Sequence, residues 1–285
     1  MTERLYMPAY LSRVLEKHGF TFSKALGQNF LIDGNVLRRI ADGADLSKED
    51  FVLEIGPGVG TLTEELAIRS EKVVAVELDR RLIPILKETL AAYDNVEVIH
   101  QDAMETDFQE LIESKGNGLR PKLVANLPYN VGTVLVAKLL EERLPLTSMT
   151  VLLQNEVADR MVAEPGTKDY GSLSVLIAYY TKGKKLFKVP RTVFRPKPNV
   201  DSAVVHLVRK THLPEIDEDL LFRLVRAGFN QRRKTILNSL TAEEAGVEKA
   251  VLLEVLERLN LSPKLRAENL SLGDFIEITR EISGN

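Results

Sequence analysis

The sequence contains no cysteine and no tryptophan. Without cysteine the chain can form no disulfide, and cysteine nucleophiles, cysteine-ligated zinc and cysteine-ligated iron–sulfur clusters are excluded. The sequence also lacks a run of about 18 apolar residues, the length that a membrane-spanning helix requires. Its first eight residues lack the apolar core of a signal peptide. We therefore expect a cytoplasmic protein with no membrane partner.

A large excess of charge of one sign is also missing. The 38 basic residues are set against 41 acidic ones, which gives a formal net charge of -3. A polycation is therefore excluded, and any nucleic-acid site must be a local basic patch. With 285 residues, 44% of them hydrophobic and 28% charged, the composition is that of a globular protein. This length suits one large domain, or a large domain with a small one.

A glycine-rich turn follows the first predicted strand. Residues 51–55 are apolar apart from Glu54, Gly56-Pro57-Gly58-Val59-Gly60 follows at once, and residues 61–69 have a helical pattern. This order of strand, glycine-rich turn and helix is typical of the start of a doubly wound nucleotide-binding fold. The spacing is G-x-G-x-G rather than the G-x-G-x-x-G of dinucleotide sites, and the carboxylate of Glu54 suits a cation better than a phosphate. The turn therefore favours a ligand without phosphate groups.

The second and third predicted strands end in acidic residues. Glu77 lies 21 residues after Gly56 (77 − 56), which is the spacing of the acidic residue that binds ribose hydroxyls. Asp102 is placed to accept a hydrogen bond from an adenine amino group. Plainer interpretations exist, since Asp79 beside Glu77 could cap a helix over 80–92 and aspartate is common in turns. Together the residues predict an adenosine-type cofactor. S-adenosylmethionine suits the pattern better than NAD because it is a cation without phosphates.

The fourth predicted strand ends in Asn126-Leu127-Pro128-Tyr129. Pro128 cannot donate a ladder hydrogen bond and biases the residue before it towards an extended conformation, so it forms a rigid corner. Open α/β sheets bind their ligands at this end of a strand. An ordinary strand-to-loop turn is the alternative, because asparagine and proline are both turn residues.

The groups at this corner suit a flat ring that carries an amino group. If both N–H groups of an adenine amine donate, to the Asn126 side-chain oxygen and the Leu127 carbonyl, the nitrogen can pyramidalise and direct its lone pair at a methyl donor. Tyr129, with Phe194 on the other side, would stack on the extruded base. Methyl transfer of this kind needs no metal, and we expect none.

The segment from Phe22 to Leu31 carries large apolar residues and two side-chain amides. It is either a linker with a hydrophobic anchor or a lid over the ligand. As a lid, it would make polar contacts through Gln28, Asn29 and the Leu31 backbone.

Basic residues concentrate in two stretches. Between residues 182 and 210 the single acid is Asp201, and the prolines of Phe194-Arg195-Pro196-Lys197-Pro198 predict an extended chain that presents Phe194. Basic residues interleaved with aromatics are typical of nucleic-acid sites, whereas a charged solvated loop with Phe194 tucked in is the alternative. The second stretch lies in the region after residue 215, where the pattern is helical throughout. The residues predicted to bind RNA are Lys188, Arg195, Lys197, Arg223, Arg226, Arg232, Arg233 and Lys234.

Four of these stretches, taken together, resemble one protein family. Residues 22–31, 54–60, 126–129 and 194–202 are similar, in order and along essentially the whole chain, to the bacterial 16S rRNA adenine dimethyltransferases. The resemblance implies S-adenosylmethionine-dependent dimethylation of two adjacent adenosines in the loop of the 3′-terminal helix of 16S rRNA. It also implies binding to an immature 30S subunit and a role in its maturation; we expect a monomer.

The resemblance also implies a role for individual residues. Asn126 would serve the target amine, with Tyr129 and Phe194 on the base. The residues that would contact the cofactor are Asn29, Leu31, Gly56, Glu77, Asp102 and Asn126. The expected fold is α/β, a doubly wound Rossmann-like methyltransferase sheet in residues 1–210, with the lid segment at its N-terminal end. A small all-helical RNA-binding domain in residues 211–285 would follow.

Two other functions stay open. The 23S rRNA adenine methyltransferases that confer macrolide resistance resemble the chain in fold and in the Asn-Leu-Pro-Tyr motif, although residues 22–31 and 194–202 favour the small-subunit enzyme. A ribosome-assembly factor that binds RNA without catalysis is the second alternative. The intact Asn126 and glycine turn argue against it.

Overall fold

The computed structural model describes residues 4–23 and 27–284. In chain order the helices and strands are α1 (Pro8–Lys17), β1 (Phe30–Leu31), α2 (Gly34–Gly43), β2 (Asp50–Ile55), α3 (Thr61–Arg69), β3 (Lys72–Glu77), α4 (Ile83–Thr89), β4 (Val96–His100), α5 (Phe108–Lys115), β5 (Arg120–Asn126), α6 (Gly132–Glu141), β6 (Ser148–Gln154), α7 (Asn155–Met161), α8 (Ser172–Tyr180), β7 (Thr181–Val189), β8 (Phe194–Arg195), β9 (Ser202–Arg209), α9 (Glu218–Asn230), α10 (Ile236–Leu240), α11 (Lys249–Arg258) and α12 (Leu272–Ser283). Within the described ranges, every helix is too short or too polar to span a bilayer.

The chain divides into two units that interleave in sequence. One contains the described residues of 1–158 and 184–209, and the other those of 159–183 and 210–285. The chain passes into the helical unit for the second time between Arg209 and Lys210, whereas the prediction placed a single boundary near residue 211. The helical unit also includes α8. The reason lies in aromatic packing, because the ring of Tyr179 in α8 meets Phe222 of α9 edge-on at 5.4 Å. The Tyr179 hydroxyl also donates to Glu218 at 2.8 Å.

A seven-stranded sheet forms the centre of the first unit. Its strand order is β4–β3–β2–β5–β6–β9–β7. The strands from β4 to β6 in this order pair in parallel, and β9 pairs antiparallel with β6. The chain runs outward from β2 through β3 to β4 and then returns to β5 on the other side of β2. This reversal is that of a doubly wound sheet, as predicted, and it places a ligand crevice at the carboxyl ends of β2 and β5.

The sequences of the central strands explain their position. Leu53, Val74 and Val124 are fully buried, as expected of parallel strands that are covered on both faces. Four helices, α2, α5, α9 and α12, begin after a polar side chain that caps them. Asp33, for example, accepts backbone hydrogen bonds from Asn35 at 2.8 Å and from the following residue at the start of α2.

Three local features differ from the predicted pattern. The helix predicted over 80–92 is shorter, because α4 begins only at Ile83, just before Pro84. The helix α5 was not predicted. The basic stretch after residue 181, for which no strand was predicted, forms the edge strand β7, and its lysines at 182, 184 and 188 are exposed. Lysines on an edge strand are a common protection against pairing with other chains.

Candidate functional site

The carboxyl ends of β2, β3, β4 and β5 open into one cavity. Each strand contributes one residue at or just after its end. These residues are Gly56, Glu77, Asp102 and Asn126, and all four line the cavity. The cavity therefore brings together four residues that are far apart in sequence. The other predicted residues that line it are Gln28, Asn29, Leu31, Leu127, Pro128 and Tyr129.

The glycine turn after β2 brings backbone to the wall of this cavity. Gly56 and Gly58 have φ of +68° and +61°, a region that residues with a Cβ adopt only with strain. A Cβ on Gly58 would lie 3.0 Å from the Phe30 ring. The Gly58 N–H donates to Glu77 Oε2 at 3.2 Å, so the turn and the end of β3 are joined directly.

Glu77 is held by backbone donors on both oxygens. Besides the Gly58 contact, its Oε1 accepts from the Asp79 N–H at 2.8 Å. The side chain is 6% exposed, and burial raises the pKa of Glu77 to about 7 despite these hydrogen bonds. Asp79 does not cap α4, because that helix begins only after Leu82. The Asp79 carboxylate accepts from the side chain and backbone N–H of Arg81 and from the Gln28 side chain. Arg81 lowers the pKa of Asp79.

The acidic side chains in the wall of the cavity are not matched by basic ones. Glu54, Glu77 and Asp102 line it, and the described lining residues include no lysine, arginine or histidine. Glu54 is 1% exposed, and burial raises its pKa to about 8. Such a wall suits a cation and opposes a phosphate.

Asp102 stabilises a turn and also lines the cavity. Its Oδ1 accepts from the Met104 N–H at 2.8 Å, which is a turn hydrogen bond, and the residue also lines the cavity half-buried. The second oxygen accepts no hydrogen bond among the described residues and so remains available to a ligand.

Asn126 has a fixed orientation. Its side-chain N–H donates to the Asn29 carbonyl at 3.1 Å, so the amide oxygen Oδ1 is left for a ligand. Asn29 is itself held by its side chain, which donates to the Gly27 carbonyl at 3.0 Å. The Leu127 N–H donates to the Leu152 carbonyl. In the described part of the chain, no hydrogen bond reaches Asn126 Oδ1 or the Leu127 carbonyl. Two adjacent acceptors thus remain at this corner.

Tyr129 is positioned by a residue that sequence reasoning missed. The Tyr129 and Ser202 hydroxyls hydrogen-bond at 2.6 Å. The ring is half-buried, and burial raises the pKa of Tyr129. Ser202 closes the 194–202 motif, so its place in that motif was the available signal. The contact fixes the aromatic ring beside Asn126 and Leu127.

Comparison with known proteins agrees with this geometry. Residues 19–283 match the family described as Ribosomal RNA adenine dimethylase. The chain belongs to this family. A relative from Geobacillus kaustophilus, Ribosomal RNA small subunit methyltransferase A, is 48% identical over 99% of this chain and 98% of its own length. The family establishes the predicted enzyme class, an rRNA adenine dimethyltransferase.

Two solved structures share the fold of this family member. A dimethyladenosine transferase from Plasmodium falciparum has a TM-score of 0.79 at 28% identity, covering 90% of this chain and 98% of that one. The 23S rRNA methyltransferase ErmE has a TM-score of 0.67 at 25% identity, covering 89% and 99%. The predicted Rossmann-like methyltransferase fold is confirmed.

The predicted exposure of Phe194 is wrong. The side chain is 3% exposed, packs in the core with Leu31 and Val204, and does not line the cavity. Its strand β8 pairs antiparallel with β1, with Phe194 opposite Leu31. Successive side chains of a strand point to opposite faces, so Phe194 turns inward and Arg195 outward. The alternative, with Phe194 tucked in, is the one that the structure supports.

The segment that precedes β1 packs back onto the first unit. Phe20, Phe22 and Phe30 form an aromatic cluster, with ring centroids 5.2–6.0 Å apart. The Gln28 side chain accepts from the Ser23 N–H and donates to Asp79, so it stabilises the segment. Residues 24–26 of the predicted lid lie outside the described residues.

The predicted RNA-binding residues are all exposed. Lys188, Arg195 and Lys197 belong to the first unit, and the remaining five to the helical unit. Arg232 differs from its neighbours, because its guanidinium donates to the carbonyls of Lys168 and Tyr170 at 3.1 and 3.2 Å. It therefore supports the helical unit as well as carrying surface charge.

Proposed function

We propose that this family member dimethylates the exocyclic amines of two adjacent adenosines in the 3′-terminal helix loop of 16S rRNA, with S-adenosylmethionine as methyl donor. The observation that carries the proposal is the corner at Asn126. There, two oxygen acceptors stand side by side next to an aromatic ring, on the rim of a cavity lined by carboxylates.

The cavity fits a cationic nucleoside without phosphates. Glu77 would accept from ribose hydroxyls and Asp102 from the adenine amino group. The remaining contacts would come from Gly56 and from the segment that contains Asn29 and Leu31. When bound, S-adenosylmethionine supplies an electrophilic methyl group.

Asn126 and Leu127 would orient the target amine. The lone pair of an adenine amine is delocalised into the ring, which makes the nitrogen a weak nucleophile. When its two N–H groups donate to Asn126 Oδ1 and the Leu127 carbonyl, the nitrogen becomes pyramidal and its lone pair points into the cavity. An in-line transfer requires an approach of about 3–3.5 Å. The N–C bond would form as the S–C bond of the donor breaks, S-adenosylhomocysteine would leave, and the methylated amine would lose one proton to solvent. After the first transfer one N–H remains, so a single acceptor orients the amine for the second.

Tyr129 would hold the extruded base. Stacking on an aromatic ring is worth about 1–3 kcal/mol per base, and the hydrogen bond to Ser202 fixes the ring before the base arrives. Phe194 is buried in the core, so a second stacking partner is not part of the proposal.

The RNA partner would be the immature 30S subunit, which places the reaction in the cytoplasm. The relative from Geobacillus kaustophilus carries a name that refers to the small ribosomal subunit. Exposed basic residues on both units, from Lys188 to Lys234, would contact RNA phosphates. The first unit would bind the cofactor and the target base.

The test is methylation of ribosomal particles. The protein is incubated with labelled S-adenosylmethionine and either unmethylated 30S or unmethylated 50S particles, and the rRNA is mapped by mass spectrometry. Dimethyladenosine in the 16S 3′-terminal loop is the expected product. Label in 23S rRNA would instead assign the macrolide-resistance activity. Absence of label, with 30S binding retained, would indicate an assembly factor.

A further inference from the structure

A second cavity lies beside the ring of Tyr129, within the first unit. It is lined by residues 154–156, 188, 191 and 199–201. Ser202 connects this cavity to the ring. It follows Asp201 in the chain and stands opposite Gln154 in the pairing of β9 with β6. Its hydroxyl bonds that of Tyr129 at 2.6 Å. One residue therefore separates the second cavity from the ring that would hold the target base.

Side-chain amides form part of the wall of the second cavity. They belong to Gln154, Asn155 and Asn199. An amide has a donor and an acceptor side by side, so it can bond the amino group and a ring nitrogen of one adenine. The Gln154 side chain is half-buried, and in the described part of the chain its amide makes no hydrogen bond. This amide is therefore available to a base.

The charges of the second cavity differ from those of the cavity proposed for the cofactor. Two exposed cations, Lys188 and Arg191, line it together with the carboxylates of Glu156 and Asp201. Lys188 has no ion-pair partner among the residues that the structure describes, so its ammonium group can meet a phosphate. A wall with charges of both signs suits a nucleotide, which offers amino or imino donors on its base and an anion on its backbone.

Hydrogen bonds hold the walls of the second cavity together. Arg191 donates from its guanidinium to the Asn199 carbonyl at 2.8 Å and from its backbone N–H to the Asp201 carboxylate at 3.0 Å. The Asn155 N–H donates to the Asp201 carbonyl at 3.0 Å. Between these contacts Val200 presents an apolar side chain that is 47% exposed. The cavity is thus formed before a ligand arrives, which lowers the cost of ordering on binding.

We infer that the second cavity binds the nucleotide next to the target, so that one adenosine of the adjacent pair is held there while the other is methylated. Because neighbouring nucleotides are covalently joined, a base on Tyr129 brings the next one within reach of this cavity. Gln154 would bond the edge of its base and Lys188 its phosphate. The inference rests on the proposed function, because it takes adjacent adenosines as the substrate. In the described part of the chain, the second cavity shares no lining residue with the cofactor cavity.

Photo-crosslinking tests which nucleotide occupies the second cavity. Val200 is replaced by the photoreactive residue p-benzoylphenylalanine, and crosslinks to the 16S rRNA of unmethylated 30S particles are mapped by primer extension. Val208 is the matched control, because it is 43% exposed on the same unit but stands opposite Ser148, at the other end of β6. A strand of this length spans about 20 Å. We expect Val200 to crosslink to one of the two adjacent adenosines and Val208 to neither.

Replacing Gln154 tests the contact with the base. Gln154→Ala should slow methylation of 30S particles by about fivefold or more, which is the contribution of an amide paired with adenine. The affinity for S-adenosylmethionine and the melting temperature should match those of wild type, because Gln154 does not line the cofactor cavity. Gln109→Ala makes the same change at an exposed position of α5 and should methylate like wild type.

Two results would overturn the inference. One is a set of Val200 crosslinks that avoids the 3′-terminal loop or matches that of Val208, and the other is methylation by Gln154→Ala at the wild-type rate. If Gln154→Ala does not fold, the crosslinks decide alone. Wild type that methylates no adenosine of 16S rRNA would reject the proposed function instead. Crosslinks form without methylation, so the two failures are told apart.

Discussion

Replacing Asn126 with alanine removes two contacts of different kinds. One is the proposed acceptor for the target amine, a contact that would strengthen as the lone pair localises. Loss of such a group typically costs about 2.7–4 kcal/mol, or roughly 10²–10³ in rate. The other is the 3.1 Å hydrogen bond to the Asn29 carbonyl, worth about 1 kcal/mol of stability. We expect methylation of 30S particles to slow by roughly 10²–10³ while binding persists, measured in single-turnover assays with labelled S-adenosylmethionine.

Tyr129→Phe is the matched control on the same corner. It keeps the stacking ring and removes only the hydroxyl that bonds Ser202, so the loss in rate should stay within about tenfold. If Asn126→Ala methylates 30S particles within about tenfold of wild type, orientation of the amine by Asn126 is refuted. A large loss of 30S binding in Asn126→Ala would show that the residue positions RNA and not the reacting amine.

Arg233→Gln should weaken binding to 30S particles and reduce the slope of log affinity against log salt by about 1. Arg232→Gln should in addition lower the melting temperature, because that guanidinium holds two backbone carbonyls; identical melting curves for the two variants would contradict this. Phe194→Ala should destabilise the first unit by about 3–5 kcal/mol in urea melts, and a loss below about 1 kcal/mol would mean that the ring is not buried in solution. Because the pKa of Glu54 is raised to about 8, its contribution to stability is present at low pH and is lost as pH rises through 8. Wild type should therefore lose stability relative to Glu54→Gln between pH 5 and 8, and a constant difference across urea melts would refute this.

The cavity was predictable where its residues depend on their own strand alone. Gly56, Glu77, Asp102 and Asn126 each follow an apolar run. The carboxyl ends of parallel strands meet at one edge of a sheet, so locating the strands was enough to bring the residues together.

What escaped prediction depends on partners distant in sequence. Phe194 is buried because β8 pairs with β1, and two prolines near it suggested exposure instead. Helix α8 joins the helical unit through Tyr179 and Phe222, a contact that its own apolar pattern does not specify. The burial of Glu54 is likewise a property of the packed cavity, although its carboxylate was noted in the sequence.

The pairing of β1 with β8 has a consequence for the order of events at the site. The strand β1 continues the segment that walls the cavity at Gln28 and Asn29, and β8 begins the motif that ends at Ser202 and holds Tyr129. In the proposed function, the cofactor and the base would therefore contact neighbouring parts of one hydrogen-bonded structure. We predict that the two binding steps are thermodynamically coupled, so that each affinity changes when it is measured with the other substrate present.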